Sequence, residues 1–351
     1  MTSNERRMDQ QHRKTHSHRS SFRREPAKKL VERAASCDKS AMPTRNGAIR
    51  IFRLFGIDVF LHWSWFLIVI YDIQVRGHLY DSYIWNALET LSLFGIILAH
   101  EFGHALACRQ VGGTANQIIL WPLGGVAYVA PPQRPGAMLW SIVAGPLVNV
   151  VLFPILSAVA FFAGQAGWEH LYPDLYQYID AIWLTNLIIL IFNMLPIYPL
   201  DGGQIFRSLL WFVVGRANSL MVATALGFLG VGAMALLAYL WGDTWFWILA
   251  AFAGLNCWSG FQQSKQLLRL EKAPRRTEFR CPECKESPPI GKFWRCGKCG
   301  SGFDTFETQA FCPNCHAEYA VTVCPYCLNK KPMAEWRAYQ TPPPVPPQGG
   351  V

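Results

Sequence analysis

LSLFGIILAHEFGH, residues 91–104, decides how this chain is read. Its first nine residues carry no charge and run directly into two histidines and a glutamate. On a helix, His100 and His104 lie four apart on one face, so both imidazoles reach one metal ion. Glu101 between them is the residue type that activates water in a zinc peptidase. An ionisable cluster inside membrane-length apolar sequence is costly and marks a functional site. The segment predicts a zinc hydrolase working inside a bilayer.

The rest of the chain fits a membrane setting. It has 351 residues, is 51% hydrophobic, and carries a net charge of +9 that is unevenly placed. Residues 1–50 hold +8, residues 51–261 hold −4 without a single lysine, and residues 262–351 hold +5. Basic ends around a charge-poor middle predict a multi-pass integral membrane protein with both termini cytosolic. Polybasic ends are expected beside membrane spans, which disfavours nucleic acid as a partner. Residues 1–50 are too polar to bury a core and read as a disordered basic tail. They lack the order of regions that makes a signal peptide. His12, His16 and His18 read as part of this solvated tail.

About 20 apolar residues cross the hydrocarbon core. Spans are expected at about 57–74, 84–108, 137–163, 178–198, 217–241 and 244–261. Pro146, Pro154 and Pro196 fall within them and free backbone carbonyls that neighbours must satisfy. The short connection at Gly242 and Asp243 makes the last two spans antiparallel neighbours. Arg109, Arg134, Arg207 and Arg216 lie in connections 109–136 and 199–216, whereas connection 164–177 has acids and no Lys or Arg. The positive-inside rule then puts HEFGH near the cytosolic end of span two. It puts Leu200–Gly203 (LDGG) at the cytosolic end of span four. The expected fold is an all-α polytopic membrane protein of about six transmembrane helices. A small β-hairpin or re-entrant element follows the second, and a small β-rich zinc-ribbon domain ends the chain.

A catalytic zinc keeps three protein ligands and an open position. Asp201 fits as the third, beside Gly202 and Gly203, which permit close backbone approach. The competing reading of Asp201 is an N-cap for the next helix. His62 reads as a structural histidine among aromatics, His170 lies on the opposite side, and Cys108 reads as a packed thiol.

HEFGH (100–104), AGPLVN (144–149) and NMLPIYPLDGG (193–203), in that order, resemble the site-2 protease family of intramembrane zinc metalloproteases. The resemblance covers about residues 51–261. GIDVFLHWSWF (56–66) and WPLGGVAY (121–128) are similar to the branch with cytosolic active sites, although the nucleotide-binding module often found after the last span is not recognisable here. The resemblance implies that His100, His104 and Asp201 bind zinc and that Glu101 is the base. It implies that Asn149 stabilises the oxyanion or fixes substrate; an interhelical hydrogen bond is the alternative. Asn193 either lines the substrate groove or satisfies a carbonyl freed by Pro196. Substrate must unwind to be cut, and IILWPLGGVAYV (118–129) predicts a hairpin that offers a sheet edge, or else a re-entrant loop without that role.

Eight of the eleven cysteines form four C-x-x-C pairs: Cys281 with Cys284, Cys296 with Cys299, Cys312 with Cys315, and Cys324 with Cys327. Gaps of 11, 12 and 8 residues between the pairs predict two structural zinc sites. A cytosolic location disfavours disulfides. Sequential pairing, first with second and third with fourth, is expected; crossed pairing stays open. Cys37, Cys108 and Cys257 read as ordinary thiols.

The expected organisation is a tail (1–50), a six-span metalloprotease domain (51–261), a basic linker (262–280), a tandem zinc ribbon (281–330) and a Pro-rich tail (331–351). The expected activity is cleavage of a membrane-protein substrate in or near its transmembrane segment. One catalytic and two structural zinc ions are expected, with the lipid bilayer and a cytosolic protein at the ribbon as partners. The alternative is a non-catalytic membrane adaptor that presents the ribbon.

Overall fold

The computed structural model describes residues 47–121, 124–242 and 244–336. His12, His16, His18, Cys37 and Asp243 lie outside the described residues. So do Pro122 and Leu123, between the two strands of the expected hairpin.

The chain opens with two strands, β1 (Ala48–Leu54) and β2 (Ile57–His62), then the short helix α1 (Trp65–Arg76). The long helix α2 (Tyr83–Gln110) leads into β3 (Thr114–Trp121) and β4 (Gly124–Ala130). Next come α3 (Pro135–Gln165), the one-turn α4 (Trp168–Leu171) and α5 (Pro173–Met194). Helices α6 (Asp201–Val214), α7 (Arg216–Trp241) and α8 (Thr244–Lys272) complete the membrane domain.

Among the described residues, four helices are long and apolar enough to cross a membrane: α2, α3, α5 and α7. Large apolar side chains such as Phe162, Leu229 and Leu255 stand exposed along the helices, as lipid-facing residues would. The first expected span, 57–74, is not a continuous helix. Its beginning is β2, and only the 12-residue α1 follows. At 1.5 Å per residue, α1 is about 18 Å long, short of the ~30 Å core. Hydropathy could not separate the two, because β-branched and aromatic residues serve a buried strand as well as a span.

β2 joins the expected hairpin in one four-stranded sheet, ordered β1-β2-β3-β4. β2 runs parallel to β3, with Phe60 opposite Ile119, while β3 and β4 are antiparallel, with Ile118 opposite Ala127. This sheet is the departure from an otherwise all-helical membrane domain. Its buried face, with Ile57, Val59, Ile118 and Leu120, packs on Phe102, Ala105 and Cys108 of α2. Arg109 ends α2 by donating to the carbonyls of Phe55 (2.5 Å), Gly56 (3.2 Å) and Ala115 (2.8 Å), which ties the helix to both halves of the sheet. The sheet is thereby held against the helix that carries the HEFGH residues.

After α8 come two small hairpins, β5 (Trp294–Arg295) with β6 (Gly302–Phe303) and β7 (Thr322–Val323) with β8 (Lys330–Lys331). The boundaries drawn from sequence shift here. Helix α8 continues to Lys272, and Arg275 already bridges to Pro289, so little linker remains. Trp336, placed in the Pro-rich tail by sequence, is fully buried against Cys281, Cys324 and Phe306.

Candidate metal centres

His100, Glu101 and His104 are buried near the C-terminal end of α2. Asp201 is the first residue of α6, and Leu200 is its cap residue, so Asp201 is not an N-cap. The three expected ligands meet: Asp201 Oδ2 lies 3.0 Å from His100 Nε2 and 3.3 Å from His104 Nε2, and the two Nε2 atoms are 3.1 Å apart. Bonds of about 2.0–2.1 Å to a tetrahedral zinc put ligand atoms about 3.3 Å apart, so this triangle fits the metal.

Proton placement strengthens the fit. His104 Nδ1 lies 2.8 Å from the carbonyl oxygen of Ser141, which can only accept, so Nδ1 carries the hydrogen and neutral His104 presents a lone pair at Nε2. His100 Nδ1 lies 2.7 Å from Asn149 Oδ1, which assigns the same tautomer. Two lone pairs and a carboxylate oxygen therefore converge. Without a cation such a cluster is repulsive; with one it is a ligand set.

Glycines make the approach of α3 to α2 possible. A Cβ at Gly145 would collide with the His104 ring, and one at Gly103 with the Ala144 carbonyl. This explains the Ala144-Gly145 pair: a close helix contact delivers the Ser141 carbonyl to His104 and Asn149 to His100. At the other ligand, Cβ atoms on Gly202 and Gly203 would strike the backbone of Met194–Leu195 and Ile197–Tyr198. The chain before Asp201 thus folds tightly back on the first turn of α6.

Glu101 is held by β4. Its Oε2 accepts the Ala127 N–H at 2.9 Å, and Gly125 sits so close that a Cβ there would collide with the carboxylate. Ala127 lies on the edge strand of the sheet, with its N–H spent on Glu101. The edge of the WPLGGVAY segment thus faces the HEFGH glutamate.

The structure gives the Asn149 amide two partners: it accepts from His100 and donates to Asn186 Oδ1 at 2.9 Å. Asn186, fully buried on α5, was not singled out from sequence. One signal was available, a lone amide in an apolar span, but similar residues are common helix contacts. Asn193 is half-buried in the last turn of α5, and no hydrogen bond joins it to the triad among the described residues. His62 stacks on Trp121, with ring centroids 4.1 Å apart. Cys108 packs beneath the sheet and Cys257 donates to the Tyr198 carbonyl, so neither enters the cluster.

Residues 89–184 and 171–237 match the model of peptidase family M50. A zinc metalloprotease of Methanocaldococcus jannaschii is 31% identical over 229 residues, 64% of this chain and 63% of that protein. Part of the membrane domain is thus similar to peptidase family M50. The solved site-2 protease from Methanocaldococcus jannaschii matches at 26% identity and a TM-score of 0.44, covering 61% of this chain and 95% of that one. The chain spans less than two thirds of the length of the first relative. In the membrane domain here, the three motifs quoted from the sequence are the segments that meet at the triad.

The cysteines form two further clusters, and their pairing corrects the sequential expectation. Cys281, Cys284, Cys324 and Cys327 make one, and Cys296, Cys299, Cys312 and Cys315 the other. The first knuckle pairs with the fourth and encloses the second and third. Neighbouring sulfurs are 3.4–3.7 Å apart, too far for disulfides at ~2.05 Å. Tetrahedral zinc–thiolate bonds of about 2.3 Å imply sulfurs about 3.8 Å apart, near what is seen. In every knuckle the residue after the second cysteine has positive φ: Lys285, Gly300, His316 and Leu328. The nested pairing follows from aromatic packing. Phe306 and Trp336 fill the space beside Cys281 and Cys324, while Phe303 and Tyr319 serve the inner site.

Proposed function

We propose that this chain is an intramembrane zinc endopeptidase that cuts a peptide bond in or near a transmembrane segment of a membrane-protein substrate. The observation that carries this reading is the convergence of His100 Nε2, His104 Nε2 and Asp201 Oδ2 beside a buried glutamate. His100, His104 and Asp201 would hold the zinc and leave a fourth position open. Zinc there supplies a Lewis acid and makes water a nucleophile near neutral pH.

Glu101 is the base. It takes the proton of the attacking water and returns it to the leaving amine. The Ala127 N–H fixes one carboxylate oxygen and leaves the other to carry that proton. Apart from the Ala127 N–H, which Glu101 takes, the outer edge of β4 suits a substrate segment unwound into a strand, which would add to the sheet beside Glu101. Asn193 stands at the end of α5 as a candidate lining residue for that segment.

Two structural zinc ions, one in each cysteine cluster, bring the proposed total to three. The domains are a basic tail, the membrane protease domain beginning near residue 51, and the ribbon after α8. Both termini and the ribbon are assigned to the cytosol from the arginine distribution, and the ribbon is assigned a cytosolic protein partner. The expected six crossings require α8 and the β2–α1 segment to cross with the four apolar helices.

Glu101→Gln tests the reading. The purified variant in liposomes should keep its zinc and lose roughly 10²–10⁴-fold in cleavage of a membrane-spanning substrate, the usual cost of removing a general base. Cleavage above about one hundredth of wild type would remove Glu101 from this role.

A further inference from the structure

We infer that Asn186 and Asn149 form a relay of fixed polarity that sets the tautomer and orientation of His100, making both positioning residues. The inference rests on the triad being the zinc site.

The relay begins at a group with no choice. The backbone carbonyl of Asn149 can only accept, and Asn186 Nδ2 lies 3.1 Å from it. That identifies the NH2 end of Asn186, so its Oδ1 must be the end that faces the side chain of Asn149. The group 2.9 Å from this oxygen must then be the NH2 of Asn149. Asn149 Oδ1 is left facing His100 Nδ1 at 2.7 Å and can only accept from it. His100 therefore carries its hydrogen on Nδ1, and its Nε2 lone pair points at Asp201 and His104. Both asparagines are fully buried, so no water competes for these bonds.

The two histidines are served differently. His104 takes its orientation from a backbone carbonyl of α3, which substitution does not remove. His100 takes it from a side chain whose own direction depends on a third helix, α5. Groups that orient a metal-bound histidine typically contribute 10–100-fold to metal affinity. One of the two Nδ2 hydrogens of Asn149 is engaged by Asn186, which fixes the direction of the amide.

The test uses the full-length protein in lipid nanodiscs and two readouts. One is occupancy of the exchangeable zinc against buffered free zinc; the other is substrate cleavage. Asn149→Ala should weaken zinc binding by roughly 10–100-fold. Asn186→Ala should weaken it less, because Asn149 keeps its place but loses its direction. Asn149→Asp should restore zinc binding and keep cleavage within about tenfold of wild type, because one oxygen of the new carboxyl accepts from Nδ1–H and the other, protonated, donates to Asn186 Oδ1. Asn149→Asp that binds zinc but loses roughly 10²–10³-fold in cleavage would instead show a missing oxyanion donor and overturn the inference. Unchanged zinc affinity in Asn149→Ala or Asn186→Ala would overturn it too. His104→Ala is the reference: if it also leaves the exchangeable zinc in place, the triad is not the zinc site, and the proposed function fails before the relay does.

Discussion

In the membrane domain the three ligand atoms come from residues 100, 104 and 201 on two helices, and a third helix orients both imidazoles. In the cysteine-rich end each ligand pair sits within a single four-residue knuckle, and four such knuckles repeat. The membrane cluster offers three donors and would leave a bound metal one open position, while each cysteine cluster offers four sulfurs that as thiolates would close a shell. The first arrangement depends on helix packing and suits chemistry; the second depends on local turns and suits stability. Each half of this contrast can be broken separately.

The largest effect is expected where helix packing sets a ligand. Gly145→Ala adds one methyl group against the His104 ring. Either α3 retreats or the imidazole turns. Zinc retention at the triad should fall by roughly 10–100-fold, with cleavage falling alongside, while the ribbon metals stay. Metal analysis of the purified variant, before and after dialysis against a chelator, checks this. If the triad zinc is retained in full, α3 does not control the site, and the contrast between packed and local metal sites loses its basis.

The triad was legible from sequence because helical periodicity carries His100 and His104 to one face by itself, and the LDGG segment supplies a carboxylate near the same membrane depth. Asn186 was not legible. Its role depends on α5 packing beside α3, and nothing in its own neighbourhood announces that. The strand at 57–62 was missed for a related reason: IDVFLH is apolar enough for a span, and only pairing with β3 makes it a strand. The knuckle pairing failed because gaps of 11, 12 and 8 residues are too alike to choose between partners. Phe306 and Trp336, which decide it, lie outside the cysteine pairs.

A middle-sized effect tests the ribbon half. Cys281→Ser with Cys324→Ser removes two ligands from one nested site and should cost one zinc per chain. Cys281→Ser with Cys296→Ser takes one ligand from each site and should weaken two. Sequential pairing predicts the reverse outcome for the two double variants. The triad zinc should persist in both. The ribbon does touch the membrane domain, since Arg216 at the start of α7 donates to the Tyr326 carbonyl in the fourth knuckle at 3.0 Å. Loss of the outer site should therefore free the ribbon from that contact while leaving HEFGH intact. Protease sensitivity of residues 274–336, compared between the two double variants, reports the release.

The smallest effect concerns a single hydroxyl. Tyr319 donates to Cys296 Sγ at 3.0 Å in the inner site, and this bond is the largest of several, with the Cys299 and Lys298 backbone N–H groups and the Cys315 thiol, that together pull the thiol down to about 5 from its ordinary value of 9.0. A depressed thiol stays a thiolate, the form that binds metal, as the pH falls. The sign follows: the stabilisation is complete above pH 9, and it is lost as the pH drops toward 5 and the thiolate takes up a proton. Tyr319→Phe removes the hydroxyl but keeps the ring stacked on Phe303, whose centroid is 5.6 Å away. The inner zinc should then be released at a higher pH than in the wild type, while the outer zinc, which has no such tyrosine contact among the described residues, should leave at an unchanged pH. Zinc release followed by a chromogenic chelator during acidification separates the two. An equal shift of both sites would mean that the ribbon unfolds as one unit and that the local hydroxyl is not what holds Cys296 ready for metal.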